Sequence, residues 1–374
     1  MEILLFITLL CLLVLFYHFV GYPLLLALLA KVWQRPVAQS TATPSVSLII
    51  AAYNEGEIIR SKIENSLELD YPPGLLEIIV ISDGSTDETA AVVETFAGQG
   101  VKSMHTPARN GKSAAVNRAV AQAQHEIVVV SDANAYYLPD AIRQLVRNFG
   151  DPEVGGVSGR KTIRKSGSPI SESEGTYWKY ESFIKKQESL LDSTAGVVGE
   201  MMAVRRSLFH PIPAAIILDD AYTALNLMRR GYRVIYEPAA VCWETSAASS
   251  RDEFIRRRRN SAGRYQFLFE PAIWPWNKPI ALFAYLSHKL LRLVLPIFMI
   301  VALGLSTVAM LLPQRTPLIT LAFVLQLSFY GLAALGLGTE HLGKRFKLAA
   351  IAYYIASGTF SSLPGLFYYL SGKQ

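Results

Sequence analysis

The residue types that bind a divalent cation and a phosphate occur in two polar loops of this chain. Asp132 and Asn134 directly follow a run of valines, and their side-chain oxygens can both reach one hard cation that bridges a diphosphate. Gly111 and Lys112 begin a predicted helix, where backbone N–H groups and the ammonium suit a phosphate. The alternatives are an ordinary turn at the first loop and solvated charge at the second.

Two further acidic loops carry candidates for donor binding and for proton transfer. Asp83 precedes a tight Gly-Ser turn, and its carboxylate can accept hydrogen bonds from a base or a ribose; a helix cap is the alternative. Asp219 and Asp220 open another predicted helix. Paired carboxylates can share a proton, so one of them can act as general base toward a hydroxyl. Negative charge that complements the helix dipole is the alternative for this pair.

The strongest basic feature is the run from Arg256 to Arg259. On a helix, Arg256, Arg259 and Gly263 share one face, and such a face can clamp a diphosphate leaving group. A basic face that binds anionic lipid beside a membrane is the alternative. Both uses are compatible if Arg257 and Arg258 face elsewhere than Arg259.

The loops with Asp83 and Asp132 each follow a short apolar run that predicts a β-strand. The runs at residues 46–51, 77–82 and 126–131 are rich in Val and Ile, and each is followed by a polar loop and then a helical pattern. This order predicts an α/β fold with a largely parallel sheet that is covered on both faces. Ligands of such sheets bind at the carboxyl ends of the strands, where these loops lie.

Apolar residues make up 51% of the 374 residues and are concentrated at the two ends of the chain. We predict a transmembrane helix at residues 1–31 and a domain of ordinary soluble composition at 45–270. An amphipathic helix in the membrane interface follows at 274–292, and three transmembrane helices lie within 293–371. A signal peptide is the alternative for the first segment, but its apolar run is too long and lacks a basic start.

Basic residues set the predicted orientation and limit the partners. Lys31 and Arg35 follow the first predicted span, and Lys344 and Arg345 lie between the last two. The positive-inside rule therefore places the central domain in the cytoplasm and both termini outside. The chain has a net charge of +6, but its sequence lacks the basic stripes with interleaved aromatics that are typical of a nucleic-acid groove. We expect a multi-pass protein of the plasma (inner) membrane that contacts the lipid bilayer and sugar phosphates, not nucleic acid.

In their order along the chain, these motifs resemble the family-2 membrane glycosyltransferases. That group contains the cellulose, chitin-oligosaccharide, hyaluronan and poly-N-acetylglucosamine synthases. The resemblance covers residues 46–266, nearly all of the central domain. The matching segments are Ala52-Tyr53-Asn54-Glu55, Asp83-Gly84-Ser85-Thr86-Asp87, Gly111-Lys112, Asp132-Ala133-Asn134, Gly199-Glu200-Met201, Leu218-Asp219-Asp220 and Arg229-Arg230-Gly231-Tyr232.

The resemblance implies a Rossmann-like, A-type nucleotide-sugar-binding domain with flanking transmembrane helices. It implies an inverting enzyme that moves a sugar from a UDP-sugar to a glycan or lipid-linked acceptor in the synthesis of a cell-surface polysaccharide, with export partners as further candidates. Asp220 would be the catalytic base, and Asp132 with Asn134 would hold Mg²⁺ or Mn²⁺. The residues expected at the nucleotide-sugar are Ala52, Tyr53, Glu55, Asp83, Lys112, Asp132, Arg256 and Arg259. Those expected at the acceptor are Trp178, Gly199, Glu200 and Asp219.

Two departures from the family pattern bear on this chemistry. The usual metal motif ends in a second aspartate where this chain has Asn134, which affects metal affinity and metal choice. The family's Q-x-x-R-W motif is replaced by one that Arg257, Arg259, Gly263 and Gln266 satisfy, and the missing tryptophan removes a stacking surface for a growing glycan. A non-catalytic scaffold or export subunit and a nucleotidyltransferase are the alternative functions.

Overall fold

The computed structural model describes residues 2–164, 169–245, 250–341 and 346–372. The central domain is built on one mixed sheet, to which these ranges contribute eight strands. The strands are β1 (Val46–Ala52), β2 (Leu76–Asp83), β3 (Val101–Thr106), β4 (Ile127–Asp132), β5 (Tyr136–Tyr137), β6 (Val154–Arg164), β7 (Met202–Arg205) and β8 (Arg233–Thr245).

The strand order in the sheet is β3-β2-β1-β4-β7-β6-β8-β5. The strands β1 to β4 run parallel to one another, as the apolar runs predicted. The sheet as a whole is mixed, because β7 pairs antiparallel with both β4 and β6. The register places Ala51 opposite Asp132 and Ala52 opposite Ser82. The predicted polar loops therefore meet at one edge of the parallel strands.

Alternate residues of the parallel strands enter two separate hydrophobic cores, one on each face of the sheet. In β1, Leu48 and Ile50 belong to one core, whereas Ile49 belongs to the other. Period-two alternation with apolar side chains on both faces is the pattern of a strand covered on both sides. The prediction of an α/β sheet buried on both faces is therefore confirmed.

The helices of the described residues fall into a membrane group and a domain group. They are α1 (Glu2–Phe16), α2 (Tyr22–Val32), α3 (Ile59–Leu67), α4 (Thr89–Glu94), α5 (Lys112–Gln122), α6 (Ala141–Val146), α7 (Pro169–Leu191), α8 (Asp219–Arg229), α9 (Ser250–Phe269), α10 (Pro279–Ala284), α11 (Leu291–Met310), α12 (Pro317–His341), α13 (Lys347–Phe360) and α14 (Ser362–Leu370). Helix α3 covers the first core, and α5 and α8 cover the second.

Within the described ranges, three helical segments are long and apolar enough to cross a membrane: Glu2–Val32, Pro279–Met310 and Pro317–Gly338. In the first, the short π-helical turn Tyr17–Gly21 joins α1 to α2, and in the second, Tyr285–Leu290 joins α10 to α11. The helix expected to end near residue 292 thus continues without a break into α11. Lys344 and Arg345, which carried part of the orientation argument, lie outside the described residues.

The segment predicted as a last span, residues 348–370, forms two shorter helices instead. Helices α13 and α14 contain 14 and 9 residues, whereas a bilayer core requires about 20 residues of helix. Both pack against the central domain: the Arg257 guanidinium lies 4.4 Å from the ring centre of Tyr354 in α13, and that of Arg258 lies 4.6 Å from the ring of Tyr368 in α14. Within the described residues, three segments have spanning length, and the number of spans stays a prediction.

Candidate active site

A cavity of about 950 Å³ opens beside the carboxyl edge of the parallel strands. This volume lies at the upper end of the range for small-molecule sites, about 300–1,000 Å³. Several residues singled out by the sequence line it together: Lys112, Asp132, Trp178, Gly199, Glu200, Asp219, Asp220, Arg256 and Arg259. Residues as far apart in the chain as Lys112 and Arg259 therefore share one cleft, as a common site requires.

Lys112 lies between two of the predicted acidic residues. Its ammonium is 2.7 Å from an Asp132 carboxylate oxygen and 3.4 Å from an oxygen of Asp219. Burial lowers the pKa of Lys112, but these two carboxylates outweigh burial and raise it above its usual value. The lysine is therefore cationic at neutral pH and suited to a diphosphate next to Asp132.

Asp220 sits at the first turn of α8, and Gly199 packs against its side chain. A Cβ atom at Gly199 would lie 3.0 Å from Oδ2 of Asp220, so the glycine leaves room for this carboxylate. Its other oxygen accepts a hydrogen bond from the N–H of Ala221 at 2.7 Å. Burial and the charge of Asp219 raise the pKa of Asp220 to about 6, against the opposing charge of Lys112. A carboxylate with that pKa can accept a proton near neutral pH.

Glu200 is fixed by a buried network. Its carboxylate accepts a hydrogen bond from Lys161 at 2.5 Å, and Lys161 also contacts Glu244. Although burial raises the pKa of Glu200, Lys161 lowers it to about 2. Arg256 in turn lies 3.2 Å from Glu244. Glu200 therefore contributes a permanent negative charge near Asp220, and Arg256 is joined to the same network.

Asp83 lies at the end of β2, and its carboxylate is hydrogen-bonded to groups of the protein itself. One oxygen accepts the N–H groups of Asn110 and Gly111 at 2.9 and 2.7 Å, and the other accepts from Arg118 at 2.6 Å. Burial opposes ionisation, but these hydrogen bonds lower the pKa of Asp83. Its direct effect is to hold the loop that precedes Lys112.

Close contact between neighbouring loops reinforces this arrangement. Gly84 has φ +73°, and a Cβ there would lie 2.6 Å from the backbone nitrogen of Arg109, so only glycine fits. The Arg109 guanidinium in turn lies 3.9 Å from the ring centre of Tyr53. Tyr53 is partly exposed and forms, with Arg109, a flat surface of the kind on which a base can stack.

The other residues expected at the donor stand at the same edge but do not line the cavity described above. Ala52 ends β1 and is buried. The N–H of Glu55 donates to Thr89 at 2.8 Å, which joins the loop after β1 to the start of α4. Burial and the charge of Asp132 raise the pKa of Glu55. The predicted donor residues thus form a continuous edge from Ala52 to Asp132.

The residues of the expected metal site are suited to a hard cation. Asp132 is half-buried and Asn134 is exposed, so a carboxylate and an amide oxygen are available on one loop. In the part of the chain that the structure describes, no group of three or more His, Cys, Asp or Glu side chains could hold a metal ion. Mg²⁺ and Mn²⁺ bound through nucleotide phosphates need few protein ligands, and this loop fits that kind of site.

Lys62 was not identified from the sequence, yet it holds the loop that carries Asp132 and Asn134. Its buried ammonium donates to the carbonyl of Ala135 and lies 4.1 Å from the ring centre of Tyr137. Burial lowers the pKa of Lys62 to about 7. The only sequence signal was a lysine on the apolar face of a predicted helix, and such a residue is usually solvated.

The four arginines of the basic run point in different directions along α9. Arg256, Arg257 and Arg259 line the cavity. Arg257 also contacts α13, and Arg258 contacts α14. Arg258 thus faces elsewhere than Arg259, as expected, whereas Arg257 shares the cavity with Arg259.

Comparisons with known proteins agree with this geometry. Residues 47–212 match the family described as "Glycosyl transferase family 2". The chain is 28% identical over 247 residues to a poly-beta-1,6-N-acetyl-D-glucosamine synthase of Staphylococcus epidermidis, covering 64% of this chain and 59% of that protein. It is 29% identical over 204 residues to a synthase of the same name from Staphylococcus aureus, covering 53% and 49%. The chain thus spans about half to three-fifths of the curated relatives it matches.

A solved structure matches nearly the whole chain. It is a mannosyltransferase from Pyrobaculum calidifontis in complex with GDP-Man and Mn²⁺, with a TM-score of 0.76 and 25% sequence identity, covering 98% of this chain and 100% of the solved chain. Because this match includes the helices outside the central sheet, the likeness extends to the flanking helices.

The mixed sheet and the acidic loops at its carboxyl edge define a glycosyltransferase with an A-type Rossmann-like fold. Residues 47–212 match glycosyltransferase family 2, and the chain is similar to poly-N-acetylglucosamine synthases. The expectation of a glycosyltransferase related to the poly-N-acetylglucosamine synthases is confirmed.

Proposed function

We propose that this protein transfers a sugar from a UDP-sugar to a hydroxyl of a glycan or lipid-linked acceptor and inverts the anomeric centre. The observation that carries this proposal is the convergence of Lys112, Asp132 and Asp220 in one cavity. Lys112 and the metal loop suit the diphosphate, and Asp220 suits a hydroxyl that loses its proton. The family and the matched synthases support a role in surface polysaccharide synthesis.

Each residue has its own role in the proposed reaction. The acceptor oxygen attacks the anomeric carbon while its proton passes to Asp220, and the bond from that carbon to the diphosphate oxygen breaks. The nucleoside diphosphate leaves with the electron pair, next to Lys112 and Arg259. Asp132 and Asn134 would hold Mg²⁺ or Mn²⁺, which when bound neutralises charge on the diphosphate. A single displacement of this kind inverts the anomeric configuration.

The proposed location is the cytoplasmic face of the plasma (inner) membrane. Lys31 and Arg35 follow the first spanning segment, which supports a cytoplasmic central domain by the positive-inside rule. With three spanning segments, the N-terminus would face outward and α13, α14 and the C-terminus would lie on the cytoplasmic side. Cleavage of single-cysteine reporters in sealed vesicles distinguishes this topology from the four-span alternative.

The reaction is tested with the purified full chain in lipid nanodiscs. Nucleoside diphosphate release is measured with UDP-N-acetylglucosamine, UDP-glucose and GDP-mannose in the presence of Mn²⁺ or Mg²⁺, with a membrane lipid extract as acceptor source. GDP-mannose is included because the matched mannosyltransferase was solved with it. We expect release with a UDP-sugar that depends on the metal and on Asp220. Turnover of GDP-mannose alone would replace the proposed donor, and no turnover with any donor would overturn the function.

A further inference from the structure

The cavity beside Asp220 continues from the polar site into the space between the membrane helices. Its wall there is formed by side chains of α1, α12, α13 and the helical turn after α1, and most of these are apolar. The apolar ones include Leu12, Leu15, Phe19, Ala322, Leu325, Phe329, Ile351 and Ile355, whereas Gln326 and Tyr330 add polar atoms on α12. A single space therefore joins a polar catalytic centre to an apolar compartment of bilayer character.

The apolar part has a definite extent along the membrane helices. On α12 the lining residues run from Ala322 to Tyr330, a distance of about 12 Å at a rise of 1.5 Å per residue. The hydrocarbon core of a bilayer is about 30 Å thick. The cavity can therefore enclose the first part of a long hydrocarbon chain, while the rest extends among the lipids.

Two cations that line the same cavity, Lys185 and Arg264, have no carboxylate within ion-pair distance in the described residues. Lys185 is only 3% exposed, and within the ranges that the structure describes neither it nor Arg264 makes a hydrogen bond or an ion pair. The Lys185 ammonium lies 5.6 Å from the ring centre of Trp178. A buried, unpaired charge destabilises the fold by several kcal/mol. Lys185 and Arg264 are therefore expected to bind an anionic ligand.

These cations are different residues from those assigned to the donor diphosphate. Lys112 is paired with Asp132, and Arg256 is paired with Glu244. Lys185 and Arg264, in contrast, belong to α7 and α9, and the charges that raise the pKa of each include both Glu181 and Asp220. Burial lowers the pKa of both, which is the expected effect on cations that lack an anion.

We propose that the acceptor is an amphiphile whose hydroxyl-bearing head group lies at Asp220, whose phosphate lies between Lys185 and Arg264, and whose hydrocarbon chain lies among α1, α12 and α13. This inference rests on the proposed function and specifies its acceptor. Side chains such as Leu325 and Phe329 offer no hydrogen bonds to sugar hydroxyls, whereas they match a hydrocarbon chain. A carboxylate, two cations and an apolar wall in one cavity match the hydroxyl, the phosphate and the hydrocarbon chain of a lipid-phosphate-linked sugar.

The experiment compares acceptors that differ in the length of the hydrocarbon chain and in the presence of a phosphate. The probes are a monosaccharide linked through a diphosphate to C10, C20 and C55 isoprenoid chains, the same monosaccharide joined to the C20 chain by an ether without phosphate, and the free disaccharide. Transfer of labelled sugar is measured with the full chain in nanodiscs. We expect kcat/KM to rise at least tenfold from C10 to C20 and then to level off, because the cavity encloses only part of the chain. Removal of the phosphate should cost a further tenfold or more.

Two pairs of variants separate binding of the amphiphile from general damage. Lys185→Met should raise the acceptor KM at least tenfold for phosphate-linked probes and leave the ether probe unchanged, whereas Lys186→Met, at an exposed neighbour on the same helix, should change neither. Ala322→Phe narrows the apolar part and should lower transfer to C20 and C55 probes more than to C10. Its control is Leu321→Phe, because Leu321 is exposed on the outer side of α12.

The outcomes separate failure of the acceptor assignment from failure of the proposed function. Equal transfer to the free disaccharide and to the C20 probe, or transfer only to soluble glycans, would overturn the lipid-linked acceptor and leave sugar transfer intact. Lack of nucleoside diphosphate release with every donor and every probe would overturn the proposed function itself. If Lys185→Met fails to fold, as judged by its melting temperature, the Ala322→Phe pair and the chain-length series still decide the question.

Discussion

The Lys112 ammonium lies 2.7 Å from an Asp132 carboxylate oxygen at the carboxyl edge of the parallel strands. Lys112 begins α5 and Asp132 ends β4, so two separate loops contribute to one polar cluster. A diphosphate with its metal would enter between these groups, since one binds phosphate oxygens and the other binds the cation. Donor binding and metal binding are therefore expected to depend on each other.

The pH dependence of transfer should follow the ionisation of Asp220. A base must be deprotonated to accept the acceptor proton, and the pKa of Asp220 is raised to about 6 by burial and by Asp219. Activity should therefore be lost as the pH falls through about 6. Asp219→Asn removes a negative neighbour, so the acidic limb of the kcat/KM profile should move to lower pH. An acidic limb that stays in place in Asp219→Asn would contradict the assignment of Asp220.

Asp83 should act on donor binding through the loop before Lys112. Asp83→Ala removes the partner of Arg118 and of two backbone N–H groups, and loss of a buried ion pair destabilises by about 3 kcal/mol. Both the melting temperature and the donor affinity should fall. Arg118→Met should produce a similar effect, and the double variant should be little worse than either single one. Additive losses of donor affinity would indicate instead that Asp83 contacts the nucleotide directly.

The residue at position 134 should determine metal affinity. Asn134→Asp supplies a second carboxylate next to Asp132, and the charge of the ligands tunes the affinity of a cation site. Titration of Mn²⁺ in the presence of UDP, followed by electron paramagnetic resonance, should show binding about tenfold tighter, or about 1.4 kcal/mol. Asp132→Asn should weaken binding in the same assay. Unchanged Mn²⁺ affinity in both variants would show that the metal does not bind at this loop.

Lys62 is expected to position the metal loop without taking part in proton transfer. Lys62→Met leaves the buried carbonyl of Ala135 without its donor, which costs about 1–3 kcal/mol. The donor KM and the apparent Mn²⁺ dissociation constant should rise, whereas the acidic limb of the pH profile should stay in place. The control is Lys179→Met, because Lys179 is exposed. Lys102 is less suitable, since it pairs with buried Glu77. A shift of the acidic limb would mean that Lys62 also acts on Asp220.

The parallel half of the sheet and its loops could be predicted because the signals are local. Runs of Val and Ile before polar loops predict buried strands, and the position of Asp132 after such a run places it at the ligand-binding edge. The two cores on the faces of β1 follow from the same runs. No long-range information was needed for these features.

The features that were missed depend on contacts between distant segments. Lys161 reaches Glu200 and Glu244 because β6 pairs with β8, and the sequence of β6 alone does not indicate this partner. Residues 348–370 are apolar enough to suggest a span, and they form two consecutive helices joined at Ser361. The second packs against α9, where a Cβ at Gly365 would lie 2.4 Å from the side chain of Ser261. Composition alone does not indicate this packing.

The central claim is that Asp220 is the base of a sugar transfer, and one variant tests it most directly. Donor affinity and transfer rate are measured on the same Asp220→Asn preparation in nanodiscs, with Asp70→Asn as the control because Asp70 is an exposed surface residue paired with Arg143. We expect Asp220→Asn to bind the donor with nearly unchanged affinity but to transfer sugar about 10²–10⁴-fold more slowly, while Asp70→Asn behaves as wild type. Transfer at the wild-type rate by Asp220→Asn, with intact donor binding, would contradict the account.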